Sequence, residues 1–187
     1  MQSTLAPPEI KLVVRQEIGM RVERAKFAMP NKNTFSIKPI KRFVEEELEG
    51  LNRVLDPFAR EARYGHITND LNPKFDTDYN MDALAFLKMF DDNEADGIIF
   101  DPPYSLRQLK ECYDDIGHAM TQKESQSFYA DIKNEIMRIV KPGGTVLSFG
   151  WNSMGIGKNR GFSIHRVMMV PHGGHHYDTI CVAETKL

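Results

Sequence analysis

Short apolar runs alternate with longer segments of helical periodicity through most of the chain. The strand-like runs are residues 53–56, 66–69, 96–100 and 145–149. The helical segments are residues 39–49, 83–89, 105–116 and 125–140. A chain in which strands and helices alternate forms a mostly parallel sheet, because parallel neighbours need crossover connections. The pattern therefore predicts an α/β fold with a doubly wound sheet.

The last part of the chain has a different pattern. Residues 162–170 and 179–184 are both strand-like, and the segment between them is rich in glycine and histidine, with nothing helical in it. Two strands joined without a crossover run antiparallel. We therefore expect an antiparallel C-terminal hairpin that closes the sheet. Residues 1–28 show no clean period, and we expect them to be a basic N-terminal arm or extension before a single domain over residues 29–187.

Composition supports one globular domain. The chain has 187 residues, of which 41% are hydrophobic, enough for a core of its own. No apolar run is long enough to cross a bilayer, and the N-terminus lacks the apolar region of a signal peptide. The two cysteines show neither metal-binding nor redox spacing. We expect a cytoplasmic protein without a membrane partner.

Charge is unevenly distributed along the chain. Residues 1–42 carry nine basic and three acidic residues, whereas residues 43–141 carry eleven basic and twenty-one acidic residues. A nucleic acid would meet the basic N-terminal segment and the C-terminal part, where basic residues again outnumber acidic ones. A solvated surface with a loose arm explains the same charges, so both readings stay open.

The most informative motif follows the strand-like run at residues 96–100. It reads Asp101-Pro102-Pro103-Tyr104. Each proline has a fixed φ and biases the preceding residue to an extended conformation, so the loop is stiff. It lies at the carboxyl end of a strand, where open α/β sheets bind ligands. Two acceptors, the Asp101 carboxylate and the Pro102 carbonyl, beside the Tyr104 ring suit a planar group bearing an –NH2, such as a nucleobase. A strand that stops at a Pro-Pro turn is the structural alternative.

This motif and its neighbours resemble a known family. The likeness covers about residues 29–187 and is to the S-adenosylmethionine-dependent amino-methyltransferases of nucleic acids, especially the small adenine-specific DNA enzymes of phages and bacteria. The segments that carry it, besides the motif, are Met29-Pro30-Asn31, residues 34–40, Val54-Leu55-Asp56-Pro57-Phe58, residues 68–73, Asp82-Ala83-Leu84, Lys141-Pro142-Gly143-Gly144 and residues 149–153.

The resemblance implies a Rossmann-like methyltransferase fold, S-adenosylmethionine as cofactor, and methyl transfer to the N6 amine of a flipped adenine in DNA. Asp101, Pro102, Pro103 and Tyr104 would be the catalytic residues. RNA is not excluded as the polymer, and a homodimer is possible. The location would be the cytoplasm of a bacterium or a phage-infected host. A separate target-recognition domain is not expected. Cytosine-N4 methylation and a non-catalytic cofactor- or nucleic-acid-binding subunit remain as alternatives.

The resemblance also implies the cofactor-binding residues. Asp56 would hold the methionine ammonium, Asp70 the ribose hydroxyls, and Asp82 with the Ala83 N–H the adenine. Phe58 lies in the same loop as Asp56, and Phe35 belongs to a segment that closes over the methionine end of the cofactor. Each has a structural alternative: turn residues for Asp56 and Asp70, a helix N-cap for Asp82, and a staple of the following helix for Phe35.

One loop departs from the family pattern. After Asp56-Pro57-Phe58 the pattern has two glycines, which let the backbone approach the ligand, whereas this chain has Arg60 and Ala62 in their places. A long cation therefore stands where a bare backbone is expected, and we expect the loop to follow another path.

Several basic residues are candidate nucleic-acid contacts. Lys158 and Arg160 follow the strand at 145–149, so we expect them at the same edge as the motif. Arg107 lies on the helix after the motif, and His172 and His175 lie in the loop of the hairpin. The spacing of these histidines does not predict a closed zinc site, so no metal is expected.

Overall fold

A computed structural model describes residues 19–31, 33–117 and 120–187. Seven strands form one sheet in the order β1-β6-β7-β5-β4-β2-β3. The strands are β1 (Arg21–Arg24), β2 (Val54–Asp56), β3 (Ile67–Thr68), β4 (Ala95–Phe100), β5 (Val140–Gly150), β6 (Phe162–Val170) and β7 (Thr179–Lys186). The helices are α1 (Lys38–Leu48), α2 (Ala83–Leu87), α3 (Leu106–Asp114) and α4 (Gln122–Ile139).

The sheet is parallel except for one strand. β2 pairs in parallel with both β3 and β4, and β4 pairs in parallel with β5. Only β7 among the described strands runs the other way, and it lies between β5 and β6. The predicted doubly wound α/β fold with its antiparallel C-terminal hairpin is confirmed.

Two apolar clusters cover the two faces of the sheet. One is formed by α2, α3 and α4 against β4 and β5, with Phe86, Ile132 and Ile136 fully buried in it. The other is formed by α1 against β5, β6 and β7, with Ile40 and Phe43 fully buried. Helices on both faces leave the two ends of the strands as the places where loops can build a site.

The N-terminal segment joins the sheet. β1 pairs in parallel with β6, from Arg21 opposite Arg166 to Arg24 opposite Met169. Residues 1–18 of the expected arm lie outside the described residues, and the domain boundary near residue 28 stays a prediction. None of the described helices is long and apolar enough to cross a membrane.

Candidate functional site

The site lies where the sheet changes its direction of winding. From β2 the chain moves outward to β3, whereas from β4 it moves the opposite way to β5. The carboxyl ends of β2 and β4 therefore flank a crevice of the kind in which open α/β sheets bind ligands. Asp56 is the last residue of β2, and Asp101 follows the last residue of β4. Two carboxylates thus lie at neighbouring strand ends, close enough for the charge of Asp101 to raise the pKa of Asp56.

Asp56 is a fully buried carboxylate with one oxygen unused. Its Oδ1 accepts a hydrogen bond from the Phe58 N–H at 3.1 Å. Its Oδ2 has no hydrogen-bond partner among the described residues. Burial, together with the nearby negative charges of Asp101 and Asp70, raises the pKa of Asp56 to about 8, despite the hydrogen bond from the Phe58 N–H. A buried acceptor without a partner costs free energy, and a cation in the crevice would remove that cost.

Asp101 is held by two hydroxyl groups. The Tyr104 hydroxyl donates to Asp101 Oδ1 at 2.7 Å, and the Thr34 side chain is also hydrogen-bonded to this carboxylate. Burial raises the pKa of Asp101 to about 6, while these two bonds and the charge of Arg60 oppose the rise. A carboxylate with a pKa near neutrality can take up a proton during a reaction at physiological pH.

The Pro-Pro loop is fixed from two helices. The Tyr129 hydroxyl, on α4, donates to the Pro103 carbonyl at 2.6 Å. On α3, the Gln108 Oε1 accepts from the Tyr104 N–H at 2.8 Å, and Ser105 caps the helix by accepting from the Gln108 N–H. These bonds hold the loop in one conformation, because they occupy both polar groups of the peptide bond that joins Pro103 to Tyr104.

The loop after Asp56 keeps a glycine-type conformation at Arg60. Its φ is 50°, in the left-handed region where glycine is favoured, and its N–H donates to Asp70 Oδ2 at 3.1 Å. The guanidinium Cζ lies 5.2 Å from the centre of the Phe75 ring. The side chain, rather than the backbone conformation of this residue, is what departs from the family pattern. Asp70 also accepts from the Asn72 N–H at 2.8 Å, so it joins the loop after β2 to the turn after β3.

Asp82 lies beside a cavity of about 300 Å³. Its Oδ1 accepts from the Ala85 N–H at 2.9 Å, as the N-cap of α2, and its Oδ2 accepts from the Tyr113 hydroxyl. The predicted capping role is therefore present. Apolar side chains dominate the wall, with Asp82, Glu124, Ser127 and Asp131 at its polar positions. A flat heterocycle with an amine suits such a lining.

Three further candidates pack near the crevice. Phe58 contacts the rings of Phe100 and Phe128 at centroid distances of 6.1 and 6.3 Å. Ala83 is buried at the start of α2. Phe35 is 5% exposed and packs edge-on against Phe149 of β5, while its role as a staple of α1 stays a prediction. Cofactor contact stays a prediction for all three.

His172 does not face solvent. It is 4% exposed, its Nδ1 lies 2.7 Å from the Ala28 carbonyl oxygen, and its Nε2 lies 2.8 Å from the Thr179 hydroxyl. Both ring nitrogens are occupied within the protein, which leaves the imidazole no free polar atom for nucleic acid; contact by His172 stays a prediction. His175 is exposed in the same loop. Arg107 is also exposed, on the first turn of α3. Nucleic-acid contact by these two residues stays a prediction.

Lys158 and Arg160 lie at the other end of the sheet. They form a short 3-10 helix immediately before β6. Because β5 and β6 both pair antiparallel with β7, β6 begins at the amino ends of the parallel strands. The expectation that these residues share the edge of the motif is wrong, since the chain crosses the sheet between β5 and β6. A role in nucleic-acid contact stays a prediction for both.

Sequence reasoning missed the two hydroxyl groups that support the motif. Thr34 belongs to residues 34–40, which carry part of the resemblance, but the resemblance implies a site role only for the neighbouring Phe35. Tyr129 had no signal in the chain, because it lies 26 residues after the carbonyl that it binds. No group of three His, Cys, Asp or Glu residues suited to a metal ion occurs within the part of the chain that the structure describes.

Comparison with known proteins agrees with the fold. No family model matches the chain. A region of 95 residues is 36% identical to the type II methyltransferase M.BamHI of Bacillus amyloliquefaciens, covering 45% of this chain and 21% of that protein. The chain therefore spans about a fifth of the length of this relative.

Solved structures with a fold similar to that of this chain include two whose sequences are less than 20% identical to it. The 1,6-didemethyltoxoflavin-N1-methyltransferase of Burkholderia thailandensis, solved with S-adenosylhomocysteine, aligns with a TM-score of 0.54 at 13% identity over 80% of this chain and 77% of its own. TrmN of Thermus thermophilus aligns with a TM-score of 0.53 at 19% identity over 81% and 49%. The chain therefore has a Rossmann-like methyltransferase fold.

Proposed function

We propose that this protein is an S-adenosylmethionine-dependent methyltransferase that methylates the N6 amine of adenine in DNA. The observation that carries the proposal is a pair of carboxylates, the fully buried Asp56 and the half-buried Asp101, at the carboxyl ends of neighbouring strands. One has an oxygen without a partner in the described residues, and the other belongs to a rigid acceptor loop. This arrangement suits two ligands, one cationic and one bearing an amine.

The described residues fit the cofactor. When bound, S-adenosylmethionine supplies an electrophilic methyl group on a positively charged sulfur. Asp56 Oδ2 is the acceptor available for its ammonium group. Asp70 lies on the next loop for the ribose, and the cavity beside Asp82 takes a flat ring. The relation to M.BamHI and to a structure solved with S-adenosylhomocysteine supports the same cofactor.

Asp101 and Pro102 would activate the amine. The lone pair of an exocyclic amine is delocalised into its ring, so the nitrogen is a poor nucleophile. Two N–H bonds, one to Asp101 and one to the Pro102 carbonyl, would draw the nitrogen toward tetrahedral geometry and free the lone pair. Asp101 would then receive the proton that the amine loses. The raised pKa of Asp101, about 6, suits this step. The target base must leave the duplex, since its amine is out of reach inside it.

Adenine is preferred to cytosine because Asp, rather than Ser, precedes Pro-Pro-Tyr in this chain, as in the adenine enzymes that it resembles. Cytosine-N4 methylation uses the same amine chemistry and is the second candidate. A non-catalytic subunit is the third, since Arg60 replaces a glycine of the family pattern.

The decisive experiment is methyl transfer by the Asp101→Ala variant. The protein is incubated with labelled S-adenosylmethionine and DNA, and the digested nucleosides are identified by mass spectrometry. We expect N6-methyladenine from the natural chain and a loss of about 10²–10⁴-fold or more in the variant, because the proton acceptor is removed. Binding of S-adenosylhomocysteine should change little.

The matched control is Asp91→Ala, which removes an exposed carboxylate from the turn before β4 and should leave transfer unchanged. N4-methylcytosine as the product would move the assignment to the second candidate. Undiminished N6-methyladenine from Asp101→Ala would refute the role of Asp101. Cofactor binding without any transfer would favour the non-catalytic subunit.

A further inference from the structure

Three aromatic side chains form a row that leads away from the motif. Trp151 packs edge-on against Tyr104, with ring centroids 5.7 Å apart and an interplanar angle of 77°. Tyr177 lies on the other side of Trp151, with centroids 4.7 Å apart and planes tilted by 39°. We call this set, Tyr104, Trp151 and Tyr177, the aromatic row. It begins at the residue that bonds Asp101 and ends in solvent.

The outer two rings are not core residues. Trp151 is 41% exposed and Tyr177 is 71% exposed. They belong to separate loops, one after β5 and one between β6 and β7, and both loops lie at the carboxyl ends of the parallel strands. Large apolar rings held together in solvent at the edge of a binding site mark a contact surface rather than ordinary packing.

Positive charge borders the aromatic row. Arg24 and Lys26 are exposed at the end of β1, which points to the same edge because β1 is parallel to β6. The ring of Phe27 lies against the loop that carries Tyr177, where a Cβ added to Gly173 would come within 3.0 Å of it. His175 and His176 are exposed on that loop. A phosphate backbone crossing the row would meet these basic groups.

We propose that Trp151 and Tyr177 form a stacking site for the unpaired base next to the target, so that the substrate is a locally single-stranded nucleic acid. This inference rests on the proposed function, because it takes the base in the Asp101 site as its starting point. Bases stack on aromatic rings with little sequence preference, and a row of rings continuing from the target loop suits a strand whose bases are splayed apart. Paired bases of an intact duplex have no free faces for such a row.

Trp151 is the only tryptophan of the chain, so its fluorescence reports directly on the site. The probe is oligo(dT), because thymine has no exocyclic amine and cannot be a substrate of the proposed reaction. Stacking of thymine on the ring should quench the fluorescence with saturation. The duplex of oligo(dT) with oligo(dA) should bind at least about tenfold more weakly, since its bases are already stacked.

Variants separate stacking from general attraction. Tyr177→Ala should weaken oligo(dT) binding by about tenfold or more, while Tyr177→Phe, which keeps the ring, should bind nearly as the natural chain does. Met154→Ala removes another exposed apolar side chain, 68% exposed on the loop after β5, and should have no effect. Circular dichroism checks that each variant is folded, which is expected because the altered residues are exposed.

The inference is overturned if oligo(dT) does not quench Trp151, if Tyr177→Ala binds it unchanged, or if the duplex binds as tightly as the single strand. Each outcome is independent of methyl transfer. A protein that quenches with oligo(dT) but never methylates retains the stacking site and loses the proposed function. A protein that methylates duplex DNA but whose fluorescence is not quenched by oligo(dT) retains the proposed function and loses the stacking site.

Discussion

At the scale of single residues, burial sets the chemistry of the two site carboxylates. Asp56 and Asp101 have the same side chain, yet burial raises their pKa values to about 8 and about 6. Two hydroxyl groups and the charge of Arg60 stabilise the ionised form of Asp101, whereas Asp56 has one backbone bond, and the negative charges of Asp101 and Asp70 outweigh the positive charge of Arg63. At neutral pH Asp56 therefore ionises only when a cation binds beside it, whereas Asp101 is ionised without one.

This difference predicts a pH-dependent affinity for the cofactor. Below pH 8 the Asp56 carboxyl carries a proton in the free protein, and it must lose that proton to pair with an ammonium group. Binding of S-adenosylhomocysteine should therefore strengthen as pH rises, by up to about tenfold per unit, and level off above about pH 8. Isothermal titration calorimetry in two buffers of different ionisation enthalpy measures both the affinity and the released proton.

Asp56→Asn is the matched variant for this experiment. It keeps the shape of the side chain but has no proton to lose, so its weaker affinity should depend much less on pH. If the natural chain and Asp56→Asn show the same profile, another group binds the ammonium and the assignment of Asp56 is wrong.

Arg60 shows how a residue can break a sequence pattern without breaking the backbone. The left-handed conformation costs a side chain about 1–2 kcal/mol relative to glycine. The hydrogen bond from the Arg60 N–H to Asp70 holds the turn in that conformation. The guanidinium also lowers the pKa of Asp101, so the substitution of glycine by arginine adds a charge to the site.

At the scale of elements, α4 supports the catalytic loop from the neighbouring layer. A capping box at Thr121 and Glu124 begins the helix, and its apolar face is buried against the sheet. This packing brings Tyr129 to the Pro103 carbonyl. Burial raises the pKa of Tyr129 to about 12, so the hydroxyl stays a proton donor at every working pH.

We expect Tyr129→Phe to slow transfer without preventing folding. The loss of one hydrogen bond is worth about 1 kcal/mol, and the loop it fixed becomes free to move. The turnover number should fall by about tenfold, with little change in the affinity for S-adenosylhomocysteine. Steady-state kinetics and a binding titration separate these two quantities. Met137→Ala, which removes an exposed side chain from the same helix, is the control and should keep the natural turnover number.

At the scale of the whole molecule, one buried arginine on β6 joins that strand to β1 and to α1. Arg166 is 4% exposed and bonds Glu23 on β1 at 2.8 Å and Glu47 on α1 at 2.9 Å. Its Cζ also lies 4.6 Å from the centre of the Phe43 ring. The edge strand and the first helix are thus joined to the sheet by charge as well as by packing.

Arg166→Met should therefore destabilise the fold strongly, because it removes the buried guanidinium that pairs with the carboxylates of both Glu23 and Glu47. We expect a loss of about 3 kcal/mol in the free energy of unfolding, the lower end for a broken buried pair, since Glu23 is 20% exposed. Urea unfolding followed by circular dichroism measures it. Arg21→Met removes the exposed partner of the same Glu23 and should cost less than about 1 kcal/mol. Equal losses in the two variants would contradict the role of burial.

The strands and helices could be predicted from the chain because their signals are local. β6 has the predicted limits, and α3 and α4 lie within a few residues of theirs, since apolar periodicity and capping residues act over one or two turns. The longer β5 was not predicted, because its first residues, Val140–Gly144, contain a proline and two glycines. This part of β5 pairs with β4 and not with β7, whose pairing with β5 begins at Thr145.

The sequence by itself determined the α/β alternation, the antiparallel hairpin and the rigid acceptor loop at Asp101, because periodicity and the fixed φ of proline are properties of neighbouring residues. Only the tertiary structure decided that Thr34 and Tyr129 support that loop, that His172 is buried, and that Lys158 lies at the opposite end of the sheet. It also decided the raised pKa values of the two carboxylates. These features depend on which strands become neighbours and on how much water the packed chain excludes, and no local pattern in the chain carries that information.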